Sequence, residues 1–152
     1  MIIRAAASTD LDEVRRLFRE YAEWLGIDLS FQNFEAELAG LPGDYSPPSG
    51  CLLLAEHEDR AAGCIALRRV DPATCEMKRL YIRPEFRGAG LGRQLALAIM
   101  AEARAIGYRR IRLDTLPQMI AAQKLYASLG FREIEAYRFN PIPGSRFLEA
   151  DL

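Results

Sequence analysis

Arg87-Gly88-Ala89-Gly90-Leu91-Gly92-Arg93 follows an apolar, strand-like run over 75–82 and opens directly into an amphipathic pattern. A glycine-rich turn that leads into a helix is an anion site. The first N–H groups of the helix have no intrahelical partner, the macrodipole adds partial positive charge, and glycine lets a phosphate reach the main chain with no Cβ in the way. Spacing excludes two phosphate-binding designs. A P-loop needs four residues between its glycines and then Gly-Lys-Ser/Thr, and no such lysine is present. A dinucleotide fingerprint begun at Gly88 and Gly90 needs a third glycine where Arg93 stands, and it belongs on the first strand of a fold.

A third pattern, Arg/Gln-x-x-Gly-x-Gly/Ala, is satisfied at every specified position by Arg87, Gly90 and Gly92. Upstream stands Glu76-Met77-Lys78-Arg79-Leu80-Tyr81-Ile82-Arg83-Pro84-Glu85-Phe86, and downstream Ala122-Gln123-Lys124-Leu125-Tyr126-Ala127-Ser128-Leu129-Gly130-Phe131. In these three ordered segments, spanning 75–131, the chain resembles the GNAT superfamily of N-acetyltransferases. The resemblance implies a mixed, largely antiparallel central sheet flanked by helices, formed by a single domain over 1–152. It also implies acetyl-coenzyme A as cosubstrate, with its pyrophosphate on Arg87, Gly88, Ala89, Gly90, Leu91, Gly92 and Arg93. Its pantetheine arm would lie against the backbone of Leu80, Tyr81 and Ile82, in a cleft where the fourth and fifth strands part. On the residues alone, those three are ordinary core-strand positions.

Acetyl transfer from a thioester to an amine needs a free lone pair on nitrogen and a proton for the departing thiolate. A lysine-like amine has a pKa of ~10.4, so a base helps at neutral pH. The resemblance implies Glu76 as that base, directly or through water; otherwise it is a strand carboxylate paired with Lys78 on the same face. It implies Tyr126 as the acid that protonates the sulfur; otherwise Tyr126 is a core tyrosine on the face of Met119, Ala122 and Leu129. One departure is visible: seven residues before the tyrosine the family frequently carries an asparagine that contacts the cofactor, and this chain has Met119, leaving Gln118 or Gln123 as replacements. Cys75 beside Glu76 invites a covalent route, but no activating cluster accompanies it, so direct transfer is expected.

Composition narrows the classes. Twenty Lys plus Arg against 21 Asp plus Glu leave no basic field for nucleic acid, and no apolar run approaches the ~20 residues that span a bilayer. No export signal is visible at the start, so a cytoplasmic location is the expectation, with no membrane partner. Three cysteines at strand-like positions read as buried reduced thiols, and a single histidine without a C-x-x-C pair argues against a metal site.

The remaining chain reads as a strand at 2–6, a helix from the caps Ser8, Thr9 and Asp10 to Gly26, and a second helix over 31–39. A Pro- and Gly-rich loop at 41–50 precedes a hairpin of 51–56 with 61–70, and a strand over 75–82 feeds the loop. A helix to Gly107, a strand at 110–115, a helix at 118–129 and a strand pair at 131–136 and 145–152 follow. Tyr21, Trp24, Asp28, Phe31, Glu35 and Asp44 offer aromatic surface and carboxylates to an amine-bearing small molecule, or are merely core rings and solvated acids. Tyr137, Asn140 and the turn Pro141-Ile142-Pro143-Gly144 fit either a pocket lining or a homodimer interface. The expected acceptor is a small primary amine. Peptide N-termini, protein lysines and a non-catalytic acyl-coenzyme A-binding module remain alternatives.

Overall fold

Apolar residues at three- and four-residue spacing, and strand runs buried on both faces, sort the chain into a helix-flanked sheet. The computed structural model describes residues 1–30 and 33–152. Its strands are β1 (Ile2–Ala5), β2 (Cys51–His57), β3 (Arg60–Asp71), β4 (Thr74–Ile82), β5 (Arg110–Thr115), β6 (Arg132–Ile134) and β7 (Arg146–Asp151). Its helices are α1 (Leu11–Leu25), α2 (Phe34–Ala39), α3 (Leu91–Ile106) and α4 (Ile120–Ser128). The sheet order is β1-β2-β3-β4-β5-β7-β6, and every pairing is antiparallel except β4 with β5. The mixed, largely antiparallel sheet expected from the sequence is therefore the one observed.

Local chemistry explains the boundaries. Gly26 and Gly107 close α1 and α3 in the left-handed region, each N–H returning to carbonyls of the last turn. Glu58 and Asp59, both at positive φ, make the two-residue turn that joins β2 to β3. Two helix starts shift, and the strand expected over 131–136 is the shorter β6. The helix read over 118–129 begins at Ile120, because Pro117 directs a turn that ends at Met119. The helix read over 31–39 is observed from Phe34, and its first two positions, including Phe31, lie outside the described residues.

The sheet buries two cores. On one face α3 and α4 lay Leu91, Leu95, Ile99 and Tyr126 over Ile65, Leu67, Met77 and Ile111. On the other, α1 and α2 cover Leu52, Leu54, Cys64 and Ala66 with Val14, Leu17, Phe18 and Leu38. Full burial of each Val, Leu, Ile, Phe or Met among them contributes roughly 1.5–3 kcal/mol. Strand alternation sends Cys75 and Met77 into the first core, so Glu76 and Lys78 face α1 and α2.

A bulge then resets the alternation. The β3–β4 register slips between Cys64 and Ala66, and Arg79 takes φ 61°. Leu80 and Ile82 thereby return to the α3 face and Tyr81 to the α1 face. Left-handed backbone at a non-glycine residue costs roughly 1–3 kcal/mol and needs compensation. Arg79 finds it in a two-bond ion pair to Glu37 of α2, both contacts at 2.9 Å, and in the rings of Phe34 and Tyr21.

Candidate active site

Strands β4 and β5 are paired only from Thr74 to Glu76. Beyond that point they part, and a cavity of about 40 Å³ lies between them, lined by Met77, Lys78, Leu113, Asp114, Met119 and Tyr126 among others. A second cavity of about 30 Å³ shares Tyr21, Asp114, Thr115 and Met119 with the first and extends it to Asn140. The parting exposes the edge of β4 at Leu80, Tyr81 and Ile82, where an extended amide-bearing arm can add its own hydrogen bonds.

At the end of β4 the chain passes through a 3-10 turn, Pro84–Phe86, and enters the glycine loop. Gly88 and Gly90 sit at φ 87° and 77°, and a Cβ on either would meet nothing within 4 Å, so the space above the loop is open. The first bond back into α3 is Gln94 N–H to Gly90 O at 3.1 Å, which leaves the preceding N–H groups directed at that space. Arg93 reaches Ser128 Oγ at 2.9 Å. Arg87 donates from Nε to Ile82 O at 2.8 Å and lies over the rings of Trp24 and Tyr81. These donors and the open cradle fit a pyrophosphate, and the parted strands fit the arm that would follow it.

Tyr126 is held by α4 at the other end of the cleft. It is 6 % exposed, with its ring tilted against Phe131. Burial first, then the proximity of Tyr21 and Asp114, pushes its phenol well above the usual tyrosine value, so it stays protonated at neutral pH. Met119 lies against the cavity and accepts from Thr115 Oγ1 at 3.9 Å. Neither proposed substitute for the missing asparagine amide enters the cleft: Gln118 is in the exposed turn, and Gln123 is committed to Leu116 O and Arg146.

Glu76 is fully buried and fully engaged. One carboxylate oxygen accepts from Arg68 Nε at 2.8 Å; the other accepts from Tyr137 OH at 2.6 Å and pairs with Arg138 at 3.2 Å. Arg138 also pairs with Asp114 at 2.7 Å, and Asn140 Nδ2 donates to the same carboxylate at 3.0 Å. Asn140 lines the second cavity and Tyr137 reaches it only through Glu76 and Arg138, so β3, β4, β5 and the segment at 137–140 meet in one polar network. Arg68, Lys78, Asp114 and Arg138 were not singled out as site residues from the sequence. A signal existed only for Lys78, one of two lysines among 20 basic residues.

The other candidates fall outside the cleft. Cys75 faces the α3 core, near Arg110 O, and burial pushes its thiol up to about 12, which leaves no activated nucleophile. His57 is half-exposed at the β2–β3 turn. Asp28 caps the N–H of Ser30 and Glu35 pairs with Arg19, both on the surface. Asp44 lies on a broader cavity of about 320 Å³, lined also by Glu37, Tyr45 and Arg68, that opens between α2 and the sheet.

Comparison with known proteins agrees with this geometry. A model of the acetyltransferase (GNAT) family matches residues 11–131. An uncharacterized N-acetyltransferase of Schizosaccharomyces pombe is 42 % identical over 94 % of this chain and 89 % of its own. A GNAT-family acetyltransferase of Staphylococcus aureus superposes with a TM-score of 0.82 at 21 % identity, over 99 % of this chain and 98 % of that one. An N-acetyltransferase of Thermoplasma acidophilum, solved in complex with coenzyme A, superposes at 0.78 and 21 % identity over the same shares.

Proposed function

The chain belongs to the acetyltransferase (GNAT) family, and from that premise we propose that it moves the acetyl group of acetyl-coenzyme A directly to the primary amine of a small molecule. The observation that carries the reading is the parting of β4 from β5 between an open glycine loop and the buried phenol of Tyr126. The loop N–H groups and Arg93 would hold the pyrophosphate, and the β4 edge at Leu80, Tyr81 and Ile82 would hold the pantetheine amides. The acetyl thioester would then reach the cavity that Tyr126 lines. Tyr126 OH would give its proton to the departing sulfur. Glu76, with three donors on its two oxygens, supports the reading of a positioning group that fixes Arg68, Tyr137 and Arg138.

Two features favour a small acceptor. Asn140 and α1 close one side of the cleft down to a narrow cavity, and the 320 Å³ space between α2 and Arg68 is of small-ligand size. The Glu37 and Asp44 carboxylates on that space suit a cationic amine. The test is the melting midpoint with acetyl-coenzyme A against NADH and ATP. At about 100 times the dissociation constant, a rise of roughly 5–10 °C with acetyl-coenzyme A alone is expected. Free-thiol release with small amines and with peptides then ranks the acceptors. No shift, or a larger one with NADH, overturns the loop assignment, and release with peptides alone overturns the small acceptor.

A further inference from the structure

This chain meets nearly all its needs for positive charge with arginine: 18 arginines stand beside two lysines. Lys124 is exposed on α4. Lys78 is the other, 7 % exposed, on the wall of the cavity that Tyr126 also lines. Arginine would supply charge there equally well. What lysine adds is the capacity to exist as a neutral amine.

We propose, on the reading above, that Lys78 Nζ is the group that takes the proton from the acceptor ammonium in the cleft. The geometry favours it over Glu76 in two ways. Lys78 lines the cavity between the parted strands, whereas Glu76 lies one alternation back on β4, where the strands are still paired. Glu76 also has both oxygens committed to Arg68, Tyr137 and Arg138. The groups that bear on Lys78 come from every neighbouring element: Glu76 and Arg79 on β4, Arg68 on β3, Asp114 on β5, Tyr21 on α1, Glu37 on α2, Tyr126 on α4 and Arg138 in the following segment. Burial first, then the Arg79 charge and to a lesser extent those of Arg138 and Arg68, lower its ammonium, while Glu76 raises it. The net effect brings it down to about 7.

The step balances. The acceptor R–NH3⁺ gives one proton to Lys78 Nζ, which later returns it to solvent. The freed nitrogen lone pair attacks the acetyl carbonyl and the C–S bond breaks. Tyr126 OH protonates the sulfur, and the second nitrogen proton restores the phenol. The products are the acetamide, the free thiol of coenzyme A and one proton.

Two lysines make the test direct. Protein carrying 13C,15N-lysine gives two side-chain signals, and Lys78→Arg identifies one by its loss. The expected result is that the Lys78 signal titrates near pH 7 in the unmodified protein. A titration above pH 9 overturns the proposal whatever the acceptor is. With the small amine turned over fastest in the thiol-release panel, kcat/KM should rise with pH and level above about 7. Lys78→Arg keeps the charge and cannot release the proton, so it should lose about 100-fold in kcat and that limb together. Retention of the limb and of activity in Lys78→Arg overturns the proposal. A failure of acetyl-coenzyme A to raise the melting midpoint would instead overturn the parent reading, with the lysine titration deciding this one separately.

Discussion

The glycine loop and the polar network around Glu76 lie on either side of the parting between β4 and β5, and they are made of different materials. The loop is backbone: Gly88 and Gly90 at positive φ, and N–H groups that the start of α3 leaves unpaired. The network is side chain: carboxylates of Glu37, Glu76 and Asp114 interlocked with Arg68, Arg79 and Arg138, drawn from α2, from β3, β4 and β5, and from the segment at 137–140. A backbone site is specified by where glycine stands. A side-chain network is specified by which residues the fold brings together, so it tolerates almost no single deletion.

Glu76→Gln breaks that contrast hardest. It removes a buried charge and leaves Arg68 and Arg138 short of their partner, and breaking a buried pair on one side costs about 3–5 kcal/mol. Urea unfolding should show a loss of about 3 kcal/mol, the lower bound because Arg138 keeps Asp114 and Arg68 is part-exposed. A change below 1 kcal/mol would mean that the network is ornamental. Tyr126→Phe removes one oxygen and no packing, so acetyl-coenzyme A should bind as before while kcat drops about 100-fold, close to 2.7 kcal/mol in barrier. An unchanged kcat would return Tyr126 to the core.

The next effect sharpens the electrostatic side. The folded value of Lys78 is near 7 against an ordinary 10.5, so between those pH values the unfolded chain holds a proton that the folded chain has released. Stability therefore rises with pH across that window, at up to about 1.4 kcal/mol per pH unit, and below about 7 the burial cost of the ammonium is present in full. The raised thiols of Cys51, Cys64 and Cys75 oppose this at the alkaline end. The difference between the unsubstituted chain and Lys78→Met, followed by urea unfolding from pH 7.5 to 9.5, cancels them. It should keep the positive slope, and a flat difference would show that Lys78 is not depressed.

The same contrast explains what could be read from the sequence. The loop, the strand that feeds it and the helix after it were legible because glycine spacing and apolar periodicity are local. Tyr126 was singled out by the resemblance of its segment, four residues before Gly130, and it is found on the cavity wall. The commitment of Glu76 was not legible. Arg68 is eight residues away and Tyr137 sixty-one, and although Tyr137 stood out beside Asn140 and the turn at 141–144, nothing tied either residue to Glu76. The bulge at Arg79 was hidden too, because the run over 75–82 reads as one unbroken strand. It is the bulge that places Tyr81, and not Leu80, over α1.

The smallest effect tests the loop on its own terms. Gly90→Ala puts a Cβ at φ 77°, which costs roughly 1 kcal/mol of strain, and since nothing lies within 4 Å the unliganded chain should lose little more than that. The open space is where a phosphate would approach, so acetyl-coenzyme A affinity should fall further, about tenfold, with kcat for bound substrate retained. Gly92→Ala is the control, because its Cβ would rest at 3.8 Å from Leu125 Cδ2 in ordinary contact and its backbone needs no left-handed conformation. Isothermal titration of the two variants separates a site made by backbone from one made by side chains. If both bind acetyl-coenzyme A like the parent, the N–H groups of the loop are not its anchor, and Arg87 and Arg93 would have to hold the phosphates alone.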